Sequence, residues 1–349
     1  MAKEVNCTMA TAKLLGKRTH QVPGRLSVSE LFFEVPKDHA NPSYGTLRLF
    51  ARSVERFEKP IDASKREVKQ PPWFKDCEAI RKTLTADFPE EKKKWSIMGQ
   101  SFGKVAERNK AYYNKYTEDI HRVKDIIRYI EKENITLPSG GRLSVLRLRQ
   151  LGILFGFHGT MDTVHEMITR FTSDLNQFGY FTRPTLAAFS DLLPFDTMPL
   201  YALVHEPLYA RNNAPNWSAD RMMKQNPDFT NVSADSPNPV YFTGEMVFKD
   251  MFNDYDELTN LKETAEILAT TDDWPELYDE AQLARNEVPV YSATYMEDMY
   301  VHFDFARDTA SKINNCHNFI TNVLYHDALA HKTDELMKQL FALRDDTID

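Results

Sequence analysis

The sequence predicts an α/β fold, and three observations carry that prediction. β-type runs with turn chemistry between them lie at residues 26–35 and 46–54. A short apolar pair, Ile97-Met98, runs into Gly99-Gln100-Ser101-Phe102-Gly103 just ahead of a helical pattern. Strand and helix patterns then alternate from about residue 258 to the end. Strands alternating with helices around a strand, Gly-x-Ser-x-Gly, helix unit specify a layered α/β core.

In chain order, residues 1–25 are polar and mixed and read as a loosely held lead-in. Within 46–54, Leu47, Leu49 and Ala51 alternate with Arg48, Phe50 and Arg52, the period of a half-buried strand. Pro36, Asn41-Pro42 and Gly45 separate the two runs, so they read as an antiparallel hairpin. Residues 55–72 form a charged, proline-punctuated loop, and residues 76–86 a short helix with Ile80 and Leu84 on one face. The basic run Lys92-Lys93-Lys94 reads as a solvated loop leading to the Ser101 strand and turn.

Residues 104–133 read as one long amphipathic helix, with Tyr112, Tyr116, Ile120, Val123, Ile127 and Ile130 at three- and four-residue steps. Pro138-Ser139-Gly140-Gly141 ends it in a turn, and helical patterns follow at 145–155, 161–177 and 185–193. A loop-rich stretch with Pro215, Pro227, Pro237 and Pro239 comes next. Beyond it, the expected elements are a helix at 261–268, a strand at 288–295, a helix at 303–314, a strand at 318–323 and a helix at 332–343. This order divides the chain into an N-terminal part of the core (1–103), a mainly helical cap insertion (104–255) and a C-terminal part of the core (256–349).

Composition narrows the function. Of 349 residues, 42% are hydrophobic and 12% aromatic, which suits a globular protein with a real core. A net charge of −8 gives no electrostatic reason to expect nucleic acid or an anionic membrane as a partner. Cys7, Cys77 and Cys316 are few, odd in number and far apart, which argues against a disulfide framework or a zinc site. With no signal-like or membrane-length apolar run, the expected location is the cytoplasm.

The Gly-x-Ser-x-Gly spacing has a chemical reason. A serine hydroxyl is a useful nucleophile when held at a sharp strand-to-helix turn, where neighbouring side chains would clash and glycine fits. With 12 Gly and 16 Ser in the chain, chance gives on the order of 0.02 matches, so the motif is moderately specific. Such a serine needs a base and an orienting acid on loops after later strands, in the order Ser, Asp/Glu, His. After the 288–295 strand comes Met296-Glu297-Asp298, and after the 318–323 strand comes Tyr325-His326-Asp327. Asp298 is therefore the expected orienter, preferred over Glu297, and His326 the expected base.

Several blocks in order then resemble one family. Phe33-Glu34-Val35-Pro36-Lys37-Asp38-His39, the Ser101 motif, Val204-His205-Glu206-Pro207, Tyr241-Phe242-Thr243-Gly244-Glu245-Met246, Asp298-Met299-Tyr300-Val301 and His326-Asp327 look like the proline iminopeptidases. The resemblance runs from about residue 26 to the end. It implies an α/β-hydrolase-type core with a helical cap, and a serine peptidase that acts on small peptides with an N-terminal proline. It implies Ser101, Asp298 and His326 as the triad, the Phe102 amide as an oxyanion donor, and no metal or cofactor. It also suggests Glu206 and Glu245 as binders of the substrate's α-ammonium, a task that a desolvated carboxylate pair performs well.

Two pieces of the family pattern have no counterpart. There is no His-Gly-Gly-Pro-Gly-like loop, since Pro71-Pro72-Trp73 passes straight towards the next helix. The buried helix and strand expected after Ser101 are also absent, and Gly103 meets the charged run Lys104-Val105-Ala106-Glu107 directly. The expectation is an incomplete sheet and an impaired oxyanion hole. The rival readings are an inactive homologue that acts by binding, and an esterase or amidase of the same fold.

Overall fold

The computed structural model describes residues 13–22, 26–36, 43, 45–56, 94–230, 232–275 and 278–345. They fall in two compact units, residues 1–70 and 71–349. The helix expected at 76–86 lies outside the described residues.

The first unit holds an antiparallel sheet of β1 (Lys13–Val22), β2 (Leu26–Pro36) and β3 (Thr46–Arg56), in that order. β2 and β3 pair as the expected antiparallel hairpin, with Leu31 opposite Ala51 and Phe33 opposite Leu49, but Leu47, Leu49 and Phe50 are all exposed, so β3 lacks the half-buried alternation expected of it. Central β2 buries Val28, Leu31 and Phe33. Part of the expected lead-in is instead strand β1, where Thr19 pairs with Ser29 and their hydroxyls lie 2.9 Å apart. Its exposed Lys13, Lys17 and Arg18 mark a charged edge strand, which carries no clean alternation to read.

The second unit begins its described part with helix α1 (Lys94–Lys115). This is the main departure from expectation, because residues 94–101 are helical where a strand and sharp turn are predicted. The physical reason lies in the sequence. Trp95, Met98, Phe102, Val105 and Tyr112 recur at three, four and seven residues, a helical stripe that outweighs a two-residue β-type signal. The domain boundary expected at 103/104 falls inside this helix.

The long helix expected over 104–133 is in fact two. After α1 the chain turns at residues 116–118, and α2 runs from Asp119 to Lys132. The break is fixed by Asp119, whose buried carboxylate accepts a 2.5 Å bond from the Tyr112 hydroxyl. Further on, Val123, Ile126, Ile127 and Ile130 of α2 are buried at helical steps. The Gly-Gly turn is as expected, with the Leu137 amide donating to Gly141 O at 2.7 Å.

Helix α3 (Val145–Arg149) continues as a 3-10 helix over Gln150–Gly156, and α4 (Thr160–Phe178) and α5 (Arg183–Leu192) follow. The shorter α6 (Pro199–His205), α7 (Ser218–Gln225) and α8 (Lys262–Thr270) follow, with single helical turns at 227–230, 251–254 and 256–259. They enclose one aromatic core in which Tyr112, Phe155, Phe171, Phe189 and Phe242 are fully buried. A buried Phe contributes roughly 1.5–3 kcal/mol, so this core is ample to hold the unit together.

β4 (Val290–Tyr295), α9 (Phe303–Lys312) and β5 (Cys316–Thr321) form a parallel strand-helix-strand unit, with Thr294 opposite Ile320. Among the described residues of the second unit these two strands are the only sheet. α10 (Thr333–Arg344) packs over them through Leu336 and Leu340, beside Leu324 and Ala328. No described helix is long and apolar enough to cross a membrane.

Candidate active site

Two of the residues predicted from sequence meet directly. Asp298 lies just past β4 and His326 just past β5, so parallel pairing of the strands brings both loops to one end. His326 Nδ1 is 3.0 Å from Asp298 Oδ2. Asp298 is 4% exposed, and its other oxygen accepts from the amides of Tyr300 (2.8 Å) and Val301 (3.0 Å). The carboxylate is thus held on both oxygens, and the imidazole keeps its second nitrogen for another partner.

The electrostatics agree with the geometry. The bond to Asp298 raises the His326 pKa above its ordinary 6.5, against the effect of burial. The charges of Asp298, Glu245 and Asp327 push the same way, so Glu245 lies close enough to act on the ring. Tyr300 covers one side of His326, with ring centroids 4.8 Å apart.

Glu245 follows a segment locked against α1. Asn109, fully buried on α1, donates to Phe242 O at 2.9 Å and accepts from the Phe242 amide at 2.8 Å, as a neighbouring strand would. Thr243 donates its amide to Arg149 O at 2.8 Å. Beyond this anchor the Glu245 carboxylate accepts from the Tyr201 hydroxyl. His205 also faces Glu245. Burial lowers the His205 pKa while the Glu245 charge opposes that.

Glu206 sits next to His205 in sequence but is differently engaged. Its carboxylate accepts from Ser218 twice, from the amide at 2.7 Å and the hydroxyl at 3.2 Å, at the start of α7. At 8% exposure, burial raises its pKa despite those bonds and the nearby Arg221.

Ser101 and Phe102 lie within α1, and their side chains are outside the described residues. Their positions on the helix can still be placed. Position 101 is one turn before Val105, whose side chain sits under Gly244 at 2.7 Å from where a Cβ would stand. The Met299 side chain lies 3.8 Å from the same point, and Lys104 pairs with Glu297 at 3.5 Å. The stretch of α1 just after Ser101 therefore meets both the Glu245 segment and the Asp298 loop. Phe102 is well past the first turn of α1, where a helix amide bonds to the carbonyl four residues back. An oxyanion donor needs a free amide of the kind found in a first turn.

Sequence reasoning missed several groups here. Tyr201 carries no motif, and Tyr300, although inside one of the family-like blocks, is given no role there; their contacts run across more than forty residues. His158 was not singled out either. Its ring lies 2.5 Å from Asp327, the residue after His326.

No protein-family model matches the chain. Among curated proteins, it is 36% identical to "Proline iminopeptidase aneH" of Aspergillus aculeatus in an alignment spanning all of both chains. That alignment covers 458 positions, so this 349-residue chain leaves at least 109 of them (458 less 349) without a counterpart. It is also 30% identical to "Proline iminopeptidase" of Aeromonas sobria over 313 residues, 78% of this chain and 71% of the relative.

Proposed function

The chain belongs to the proline iminopeptidase family, and from that premise we propose that it is a serine peptidase releasing N-terminal proline from small peptides. The observation that carries this reading is the His326–Asp298 bond, with Asp298 buried and held by two amides. In the proposed reaction Ser101 Oγ attacks the prolyl carbonyl as His326 takes its proton, and Asp298 stabilises the imidazolium. His326 then returns that proton to the leaving amine, giving an acyl-enzyme. Water attacks this ester with His326 again as base, freeing proline and restoring Ser101. Glu245 is assigned to the substrate's ammonium, since Tyr201 holds its carboxylate in place and its charge acts on the His326 ring. Glu206 is its proposed partner, acting from beside His205.

The remaining assignment is the oxyanion donor. The Phe102 amide fills that role only if it leaves the ladder of α1, and losing one such donor lowers the rate by roughly 10²–10³. The position of Phe102 in α1 and the unfilled alignment positions favour a second reading, a folded homologue that binds but does not cleave. Hydrolysis of a prolyl anilide by the purified chain, with Ser101→Ala beside it, decides between them. Turnover that disappears in the variant supports the peptidase. A cooperatively melting chain with no turnover supports the second reading, and turnover of acyl esters alone would point to an esterase.

A further inference from the structure

The segment 153–158 touches both members of the Asp298–His326 pair through their sequence neighbours. At one end, the Tyr300 hydroxyl donates to Ile153 O, and the Tyr300 ring fills the space where a Cβ on Gly156 would stand. Phe157 stacks on the same ring, with centroids 5.2 Å apart. Tyr300 also gives its amide to Asp298 and sets its ring against His326 at a tilt of 60°. At the other end, the His158 amide lies 3.1 Å from Asp327 Oδ2 and its ring 2.5 Å from Asp327 Oδ1. His158 also packs on Tyr325 at 4.7 Å. Tyr325 and Asp327 are the two neighbours of His326.

The clamp is itself anchored in the helical part. Gly152 lies where a Cβ would run into Phe242 and Thr243, so the 3-10 helix sits flush on the Glu245 segment. Arg108 of α1 donates to Phe155 O at 2.8 Å and stacks over Tyr325 at 4.9 Å. Among the described residues β4 and β5 have only each other as ladder partners, and two paired strands by themselves restrain their end loops weakly. A second support is thus physically useful.

We propose that Gly156 and His158 are positioning residues for the reaction, holding Tyr300 and Asp327 so that Asp298 and His326 stay in register. This rests on the peptidase reading for its kinetic arm, while a second arm needs no turnover. Gly156→Ala forces the Tyr300 ring aside. It should lower kcat about tenfold or more with KM little changed, since misplacing a catalytic group slows chemistry rather than binding. In a Tyr300→Leu background the same substitution should have no further effect, because the contact it disturbs is gone. His158→Ala should lower kcat, and His158→Asn, which can still donate to Asp327, should recover most of it. Independently of activity, NMR titration of the His326 ring should show its pKa falling towards 6.5 in Gly156→Ala as its bond to Asp298 loosens. The charges of Glu245 and Asp327 also bear on that ring, so the titration is compared with His158→Asn, which leaves both in place. A His326 titration unchanged in Gly156→Ala and His158→Ala overturns the proposal, as does equal damage from Gly156→Ala in both backgrounds. If the wild-type chain turns over no substrate, the peptidase reading fails and the titration alone decides on the clamp. If Gly156→Ala does not fold, Tyr300→Phe, which keeps the ring and loses the hydroxyl's backbone bonds at Ile153 and Gly156, takes its place.

Discussion

His326 must be neutral to accept a proton, and its surroundings favour the charged form. The bond to Asp298 and the charges of Glu245 and Asp327 all raise its pKa above 6.5. Activity should therefore rise with pH through a value above 6.5, later than for an unperturbed histidine. Asp298→Asn removes the strongest of these influences and no longer selects the required tautomer. It should lower kcat by roughly 10⁴, and the acid limb of the residual activity should move to lower pH. A pH-rate profile of both forms checks the direction. An unmoved limb would mean that another group is being titrated. Glu245→Gln tests a different step. It should raise KM for a prolyl anilide and leave hydrolysis of an acyl ester lacking the ammonium unchanged. Equal loss on both substrates would assign Glu245 to the architecture of the site instead.

At the scale of elements, α1 is the decisive one. Gly103 is exposed within it, nothing lies within 4 Å of where its Cβ would be, and its φ is not positive. A glycine in such a helix position is only a loss of stability. Gly103→Ala should stabilise the chain by about 0.5–1 kcal/mol, read from chemical unfolding. If residues 97–103 instead form a strand-to-helix turn in solution, the same change should destabilise and reduce any activity. Much else at this scale was legible. The β2–β3 hairpin, the 160–178 and 183–192 helices and the β4-α9-β5 unit follow from period and turn chemistry, with ends shifted by one or two residues. The break at residues 116–118 was not legible, because it depends on a bond from Tyr112 to Asp119 that no periodicity records. Nor was β1, whose pairing with β2 is made by backbone and hydroxyls under a mixed polar sequence. That Asp298 and His326 would meet could be anticipated because both follow recognisable strands. Tyr201 and His158 could not, since each acts through a partner distant in sequence, and neither could the bond from the Tyr300 hydroxyl to Ile153 O.

Over the whole molecule, the buried carboxylates set how stability follows pH. Burial raises the pKa of Glu206, Asp220 and Asp254, so each contributes stability that is full below its unfolded pKa and lost as pH rises through its folded one. His326, also raised, acts in the same direction around and above 6.5. Asp327 works the other way. Burial opposes its ionisation, yet the bonds from His158 hold its pKa below the usual carboxylate range, so its contribution is lost only in acid. His205, lowered by burial, likewise stabilises above its unfolded value and is lost as pH falls through its folded one. Glu206→Gln gives the sharpest check. The amide oxygen can still accept from Ser218, while the ionised form that burial penalises is removed. The variant's Tm should therefore gain on wild type as pH is raised from about 5 to 8, the interval above the ordinary glutamate pKa. A constant difference across that interval would mean that Glu206 is ionised in the folded chain throughout it, so that burial does not hold its proton. A variant that loses ground would mean that the charge itself stabilises α7 through its N-terminus and Arg221, and the assignment of Glu206 to substrate would need to be weighed against that structural role.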